Sequence, residues 1–162
     1  QDRSSAASDV YKRQDVDKWQ FRWQEAFKIV RGIGRGHIMT GSETWKDYTI
    51  SSKISIPLAS AAGLILRSQG LKRYYSLELT SDKKLKINKM EYELKTLKQI
   101  DFDLEFFKDY NLKFKVKGNH LQGFVDDNLM IEVEDNENSF EQGMIGFITE
   151  NGAIQSESIS IE

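Results

Sequence analysis

Residues 110–134, YNLKFKVKGNHLQGFVDDNLMIEVE, decide the fold class of this chain. Leu112, Phe114 and Val116 alternate with Lys113, Lys115 and Lys117. A period of two puts all the apolar groups on one side only if the backbone is extended. Lys117-Gly118-Asn119 then breaks the run, and Leu121 to Val125 resumes it. Asp126-Asp127-Asn128 supplies a second reversal, because Asp and Asn tolerate the left-handed backbone that tight hairpins need. Leu129, Ile131 and Val133 complete the pattern. The stretch predicts three antiparallel strands. The three lysines read as a solvated face that discourages pairing with a foreign edge.

Working outward, the same period recurs. In GSETWKDYTISSKISI (41–56), Tyr48, Ile50, Ile54 and Ile56 share one parity, with Ser52 as the polar gap and Trp45 and Asp47 on the opposite parity. Ala62, Leu64 and Leu66 alternate with Gly63, Ile65 and Arg67; Tyr75, Leu77 and Leu79 alternate with Tyr74, Ser76 and Glu78. Residues 92–100, YELKTLKQI, suggest one more strand, and 101–109, DFDLEFFKD, at most a single helical turn. Gly32, Gly34 and Gly36 read as a turn before a short piece at His37. Asn151-Gly152 inside GMIGFITENGAIQSESISI predicts a last hairpin. About a dozen strands at regular spacing, with no convincing helix, define an all-β, antiparallel, two-sheet sandwich or barrel.

The bulk numbers narrow the function. A chain of 162 residues fits one domain and buries enough surface to need no covalent staple. With no cysteine, disulfides and thiolate metal sites are excluded. Twenty-three basic and 25 acidic side chains, well mixed to a net charge of −2, give no electrostatic case for nucleic acid. No apolar run is long enough for a membrane-spanning helix. Gly32, Gly34 and Gly36 do not match the dinucleotide fingerprint, whose third glycine falls one position later.

Residues 1–14 differ in kind. They are polar and aperiodic, and SSAASDVYKRQ (4–14) resembles a translated adapter sequence found at the ends of reading frames from shotgun assemblies. They read as a disordered or non-native leader, which places the sandwich at 15–162 and implies that the native chain extended further upstream. Trp19, Phe21 and Trp23 alternate and read as core, or as a face that an upstream domain covers.

The pieces TWKDYTISSKI, GLILRSQ, RYYSLEL, the 110–133 stretch and the closing GMIGFITENGAIQSESISI together resemble the concanavalin A-like lectin/glucanase superfamily. The closest likeness is to the C-terminal module of ADP-ribosylglycohydrolase-type proteins and related putative sugar hydrolases. The resemblance implies a jelly-roll sandwich whose concave sheet holds a saccharide. It carries over no catalytic residue, since that hydrolase chemistry lies in a separate helical domain.

On this frame Arg67, Tyr74 and Glu78 are expected to point away from the core and to share one ligand-binding surface, with Trp45 as a further platform. An aromatic plate beside charged donors and acceptors suits a sugar ring and its hydroxyls. The plainer reading pairs Arg67 with Glu78 across the strands and packs Trp45 over the sandwich edge. His37 and His120 fall in separate turn regions and take no assigned role. Glu132 and Glu134 alternate like glucanase acids, but the loop that follows departs from that signature, so no catalytic residue is expected. No cofactor is expected either, although Asp135, Glu137 and Asn138 offer oxygens for calcium. Three functions follow. One is a non-catalytic carbohydrate-binding accessory module of a larger hydrolase. The second is a structural module docking on an upstream ADP-ribosylglycohydrolase-type catalytic domain. The third is a glycoside hydrolase-like enzyme.

Overall fold

The computed structural model describes residues 18–21 and 27–162, Ser158 excepted, with side chains from residue 28 onward. The leader 1–14, Trp23 and the side chains of Trp19 and Phe21 lie outside the described residues. Among those residues the chain forms twelve strands and no helix: β1 (Lys18–Phe21), β2 (Phe27–Thr40), β3 (Tyr48–Leu58), β4 (Ala61–Ser68), β5 (Arg73–Thr80), β6 (Lys84–Glu91), β7 (Glu93–Asp101), β8 (Asp109–Lys117), β9 (His120–Val125), β10 (Asn128–Glu134), β11 (Met144–Ser156) and β12 (Ser160–Ile161).

Alternation sorts these strands into two layers. In one layer the order is β7-β6-β5-β4-β11-β2; in the other it is β10-β9-β8-β3, continued by the second half of β11. Every pairing is antiparallel. β12 runs along the same edge of β3, with Ile161 opposite Ile50. The even positions of β3 and β8 and the odd positions of β5 and β9 meet between the layers. Ile50, Leu64, Leu77, Leu112 and Phe114 are fully buried there, each contributing roughly 1.5–3 kcal/mol. Lys115 and Lys117 point to solvent, and Lys113 is partly covered, as the sequence implies.

Two expected turns are absent, and they fail together. Asn151-Gly152 does not reverse the chain; β11 runs straight through it. Gly32, Gly34 and Gly36 do not break β2 either. Arg35 pairs with Glu150 and Arg31 with Gly152, so residues 32–34 lie opposite the single residue Asn151. This is a bulge in β2 with two extra residues, larger than the usual two-against-one kind. Asn151 and Gly34 hold the left-handed backbone angles of +49° and +83°, and the Gly34 amide donates to Asn151 Oδ1 at 2.7 Å. Beyond the bulge β11 leaves β4 and pairs with β3. A Cβ on Gly152 would lie 1.9 Å from the Leu58 carbonyl oxygen, so only glycine lets β3 come this close. The turn-forming chemistry is present, but it makes the corner where the ladder folds over. Residues 102–108 form an irregular loop with a turn at Phe106-Phe107 in place of a helical turn. The reversals at Gly118-Asn119 and Asp126-Asp127 form as expected, with Asp126 and Asp127 both left-handed.

Candidate functional site

The face of the first layer turned away from the core is built from the opposite parity: Arg35 and His37 on β2, Ile148 and Glu150 on β11, Ile65 on β4, Tyr74, Ser76 and Glu78 on β5, Asn88 and Met90 on β6. Cross-strand register sets these side by side, His37 opposite Ile148, Arg35 opposite Glu150, Tyr74 opposite Met90 and Ser76 opposite Asn88. Ile65, Tyr74, Met90 and Ile148 form a small buried apolar cluster of their own.

The polar members form one network centred on Arg35. Its guanidinium grips the Glu78 carboxylate through both Nη1 and Nη2, the first at 2.9 Å. Nε donates to Tyr74 Oη at 2.8 Å, and Nη1 also reaches Glu150 Oε2 at 3.2 Å. The Tyr74 hydroxyl lies 2.9 Å from His37 Nε2, with the two rings edge to face. Ser76 donates to Glu78 as well. A two-pronged Arg–carboxylate contact fixes both groups in one plane, a geometry lysine cannot supply.

Electrostatics follow from this crowding. Burial alone would push the Glu78 carboxyl up, but the Arg35 guanidinium outweighs it and holds Glu78 below the usual carboxylate range. Arg35 is disfavoured by burial yet raised on balance by Glu78. Burial, then the nearby Arg35 charge, lowers His37 to about 4, so it is neutral at physiological pH. Burial raises the Tyr74 phenol to about 12. Glu78 and Tyr74 are sealed, whereas Arg35 is 13% and Glu150 31% exposed, so the network meets solvent through those two. Asn88 Oδ1 is buried here without a hydrogen-bond partner.

Of the four residues singled out from sequence, Tyr74 and Glu78 stand together on this face. Arg67 does not join them. Its backbone has φ of +46° at a bulge between β4 and β11, which rotates the side chain off its expected parity. Arg67 is 2% exposed and donates to the carbonyls of Lys46, Gly118 and Phe140 and to Asp47 Oδ1. It neither faces solvent nor pairs with Glu78. Trp45 packs edge to face on Tyr48, rings 6.2 Å apart, partly buried against the main core at the sandwich edge. The two partners that sequence reasoning missed are Arg35 and His37. Both follow glycines that read as a turn, and only the continuous period-two pattern through residues 35–39 could have placed them in a strand.

Of the oxygens that the sequence offers for calcium, the Asp135 carboxylate is already engaged. Lys89 Nζ lies 2.7 Å from Asp135 Oδ2 and donates to the carbonyls of Glu137 and Asn138. Tyr75 donates to the same carboxylate, and the Glu137 amide to its other oxygen. The Lys89 ammonium also sits over the Phe140 ring, 5.0 Å from its centre. This internal cation neutralises the buried Asp135 carboxylate. Among the described residues no cluster of three or more His, Cys, Asp or Glu side chains has metal-site geometry.

The fold defines the class: an all-β, antiparallel, two-sheet sandwich, similar in fold to galectin-like proteins. The carbohydrate-binding module CBM66 from Bacillus subtilis is similar over 90% of this chain and 91% of its own, with a TM-score of 0.80 and 20% identity. A Bacillus subtilis protein of unknown function with a galectin-like fold matches 98% of this chain and 92% of its own, at TM-score 0.70 and 11% identity. Galectin LEC-6 of Caenorhabditis elegans matches 76% and 89%, at TM-score 0.58 and 16% identity. At these identities the likeness is one of fold. No family model and no curated protein matches the sequence.

Proposed function

We propose that this chain is a non-catalytic saccharide-binding module, with the ligand meeting the outer face of the first layer at Arg35 and Glu150. The observation that carries this is the network itself. Arg35 is held rigid by Glu78 and Tyr74 while its side chain keeps 13% of its surface exposed beside Glu150. A fixed donor beside the Glu150 carboxylate pairs with adjacent sugar hydroxyls at little entropic cost. Glu78 and Tyr74 then act by positioning Arg35, and Trp45 and Arg67 take structural roles. A carbohydrate-binding module and a galectin among the similar folds support the reading.

Placement of the module on a larger hydrolase belongs to the same proposal. The likenesses lend no support to an ADP-ribosylglycohydrolase connection in particular. Calorimetric titration with simple sugars tests the reading. Heat of binding should appear for at least one, and Arg35→Ala should weaken it about tenfold, the worth of one charge-assisted hydrogen bond. An Arg35→Ala protein that folds and binds as tightly as the parent rejects the site.

A further inference from the structure

A second polar depression lies on the other side of β5, at the end of the sandwich. It has a volume of about 750 Å³ and is lined by Arg73, Glu91, Asn119, Asn138, Ser139 and Glu141, with Asp135 and Asn136 completing its wall. Its construction is independent of the Arg35 network. Arg73 pairs with Glu91 across β5 and β6 on the parity of Tyr75, which faces the core, whereas Tyr74 faces outward.

We infer that this depression is a second binding site for a small neutral polyol of monosaccharide size. Three observations carry the inference. Asp135 is 4% exposed and held by Lys89, Tyr75 and the Glu137 amide, and Asn119 Nδ2 braces its carbonyl at 3.1 Å, so one wall is rigid. The lining mixes donors and acceptors at short spacing, which is what a ring of hydroxyls requires. Arg73 contributes a guanidinium that contacts Glu91 and Gln69, and it lies over the Phe140 ring at 4.6 Å, so its plane is set before any ligand arrives.

Charge decides the ligand class. Arg73 is paired with Glu91 and the wall carboxylate of Asp135 with Lys89, which leaves Glu141 as the uncompensated charge of the lining, so an anionic sugar or phosphate is disfavoured. A metal is disfavoured because Lys89 already satisfies Asp135 and the carbonyls of Glu137 and Asn138. Arg73 also covers the nearby aromatic face, so the contacts are hydrogen bonds to a solvated polar wall, and affinity is weak, with Kd on the order of 1 mM.

The experiment is a titration of ¹⁵N-labelled protein with D-glucose, D-galactose and D-fructose, and with N-acetylneuraminic acid as the anionic comparison. At least one neutral sugar should shift the amides of Arg73, Asn119, Asn138 and Ser139, and these shifts should persist in Arg35→Ala. Arg73→Ala should weaken that binding about tenfold. Asn138→Gly should weaken it too while folding at least as well, because φ at Asn138 is +51° and its backbone carbonyl is retained. Shifts from the acidic sugar alone, shifts confined to residues around Arg35, or no shifts at the depression with any neutral sugar would each overturn the second site. Because Arg35→Ala and Arg73→Ala report separately, failure of one site is distinguishable from failure of the other.

Discussion

His37 is a buried base that must stay neutral. It sits 4% exposed against Tyr74, and burial with the neighbouring Arg35 charge lowers its proton affinity from the ordinary value of 6.5 to about 4. Between those two values the unfolded chain binds a proton that the folded chain does not. Stability therefore falls as pH drops through that window and levels off below it, by at most about 3 kcal/mol. Glu78 has the opposite chemistry but the same direction of loss. Its folded-state value is depressed, so its contribution is present above the ordinary carboxylate range and is lost only at lower pH. Urea midpoints measured from pH 6.5 down to about 4 should decline in the parent and stay nearly flat in His37→Gln. An unchanged slope in that variant would assign the acid loss elsewhere. Residue by residue, the sequence was a good guide wherever alternation held. Tyr74 and Glu78 could be put on one face from parity alone. Arg67 could not, because its direction depends on a positive φ that nothing in AAGLILRSQ announces. Arg35 was hidden for the converse reason, since the glycines around it look like a turn and are in fact strand.

At the scale of elements, the loops at the end of the sandwich are tied by Arg67. A single guanidinium collects the segment before β3 at Lys46 and Asp47, the β8–β9 turn at Gly118 and the loop before β11 at Phe140. Asp47 also accepts from the Gly118 amide at 3.0 Å, and the Tyr48 hydroxyl both accepts from the Arg67 amide and donates to Gly143. Arg67→Met keeps much of the volume but leaves three carbonyls without their donor. It should cost about 2–4 kcal/mol and speed hydrogen exchange at Gly118 and Phe140 more than at the centre of β5. Uniform acceleration across the protein would mean that Arg67 contributes general stability without holding those loops. A second tie, from Lys89 on β6 to the 135–138 loop, engages the Asp135 carboxylate and the carbonyls of Glu137 and Asn138. This tie was not legible, because Lys89 and Asp135 are 46 residues apart and meet only where β6 of one layer packs beside the end of β10 in the other.

At the scale of the whole molecule, the fold-over at Gly34 and Asn151 makes the two layers one cooperative unit. β11 pairs with β4 along Met144 to Glu150 and with β3 along Ala153 to Ser156, and β2 follows it on the other side for its whole length. Neither layer can lose β11 without unzipping the other. A sandwich of two independently closed sheets would permit one to open first; shared strands forbid it. Native-state hydrogen exchange in rising urea should therefore bring Leu77 in the first layer and Phe114 in the second onto a single opening curve, equal to global unfolding. Gly152→Ala forces a Cβ to within 1.9 Å of the Leu58 carbonyl and so strains the handover itself. It should lower both amides together by the same free energy. Two separated curves in the parent, or a variant that lowers only Phe114, would show that the layers open independently and that the bulge is a local kink with no role in cooperativity.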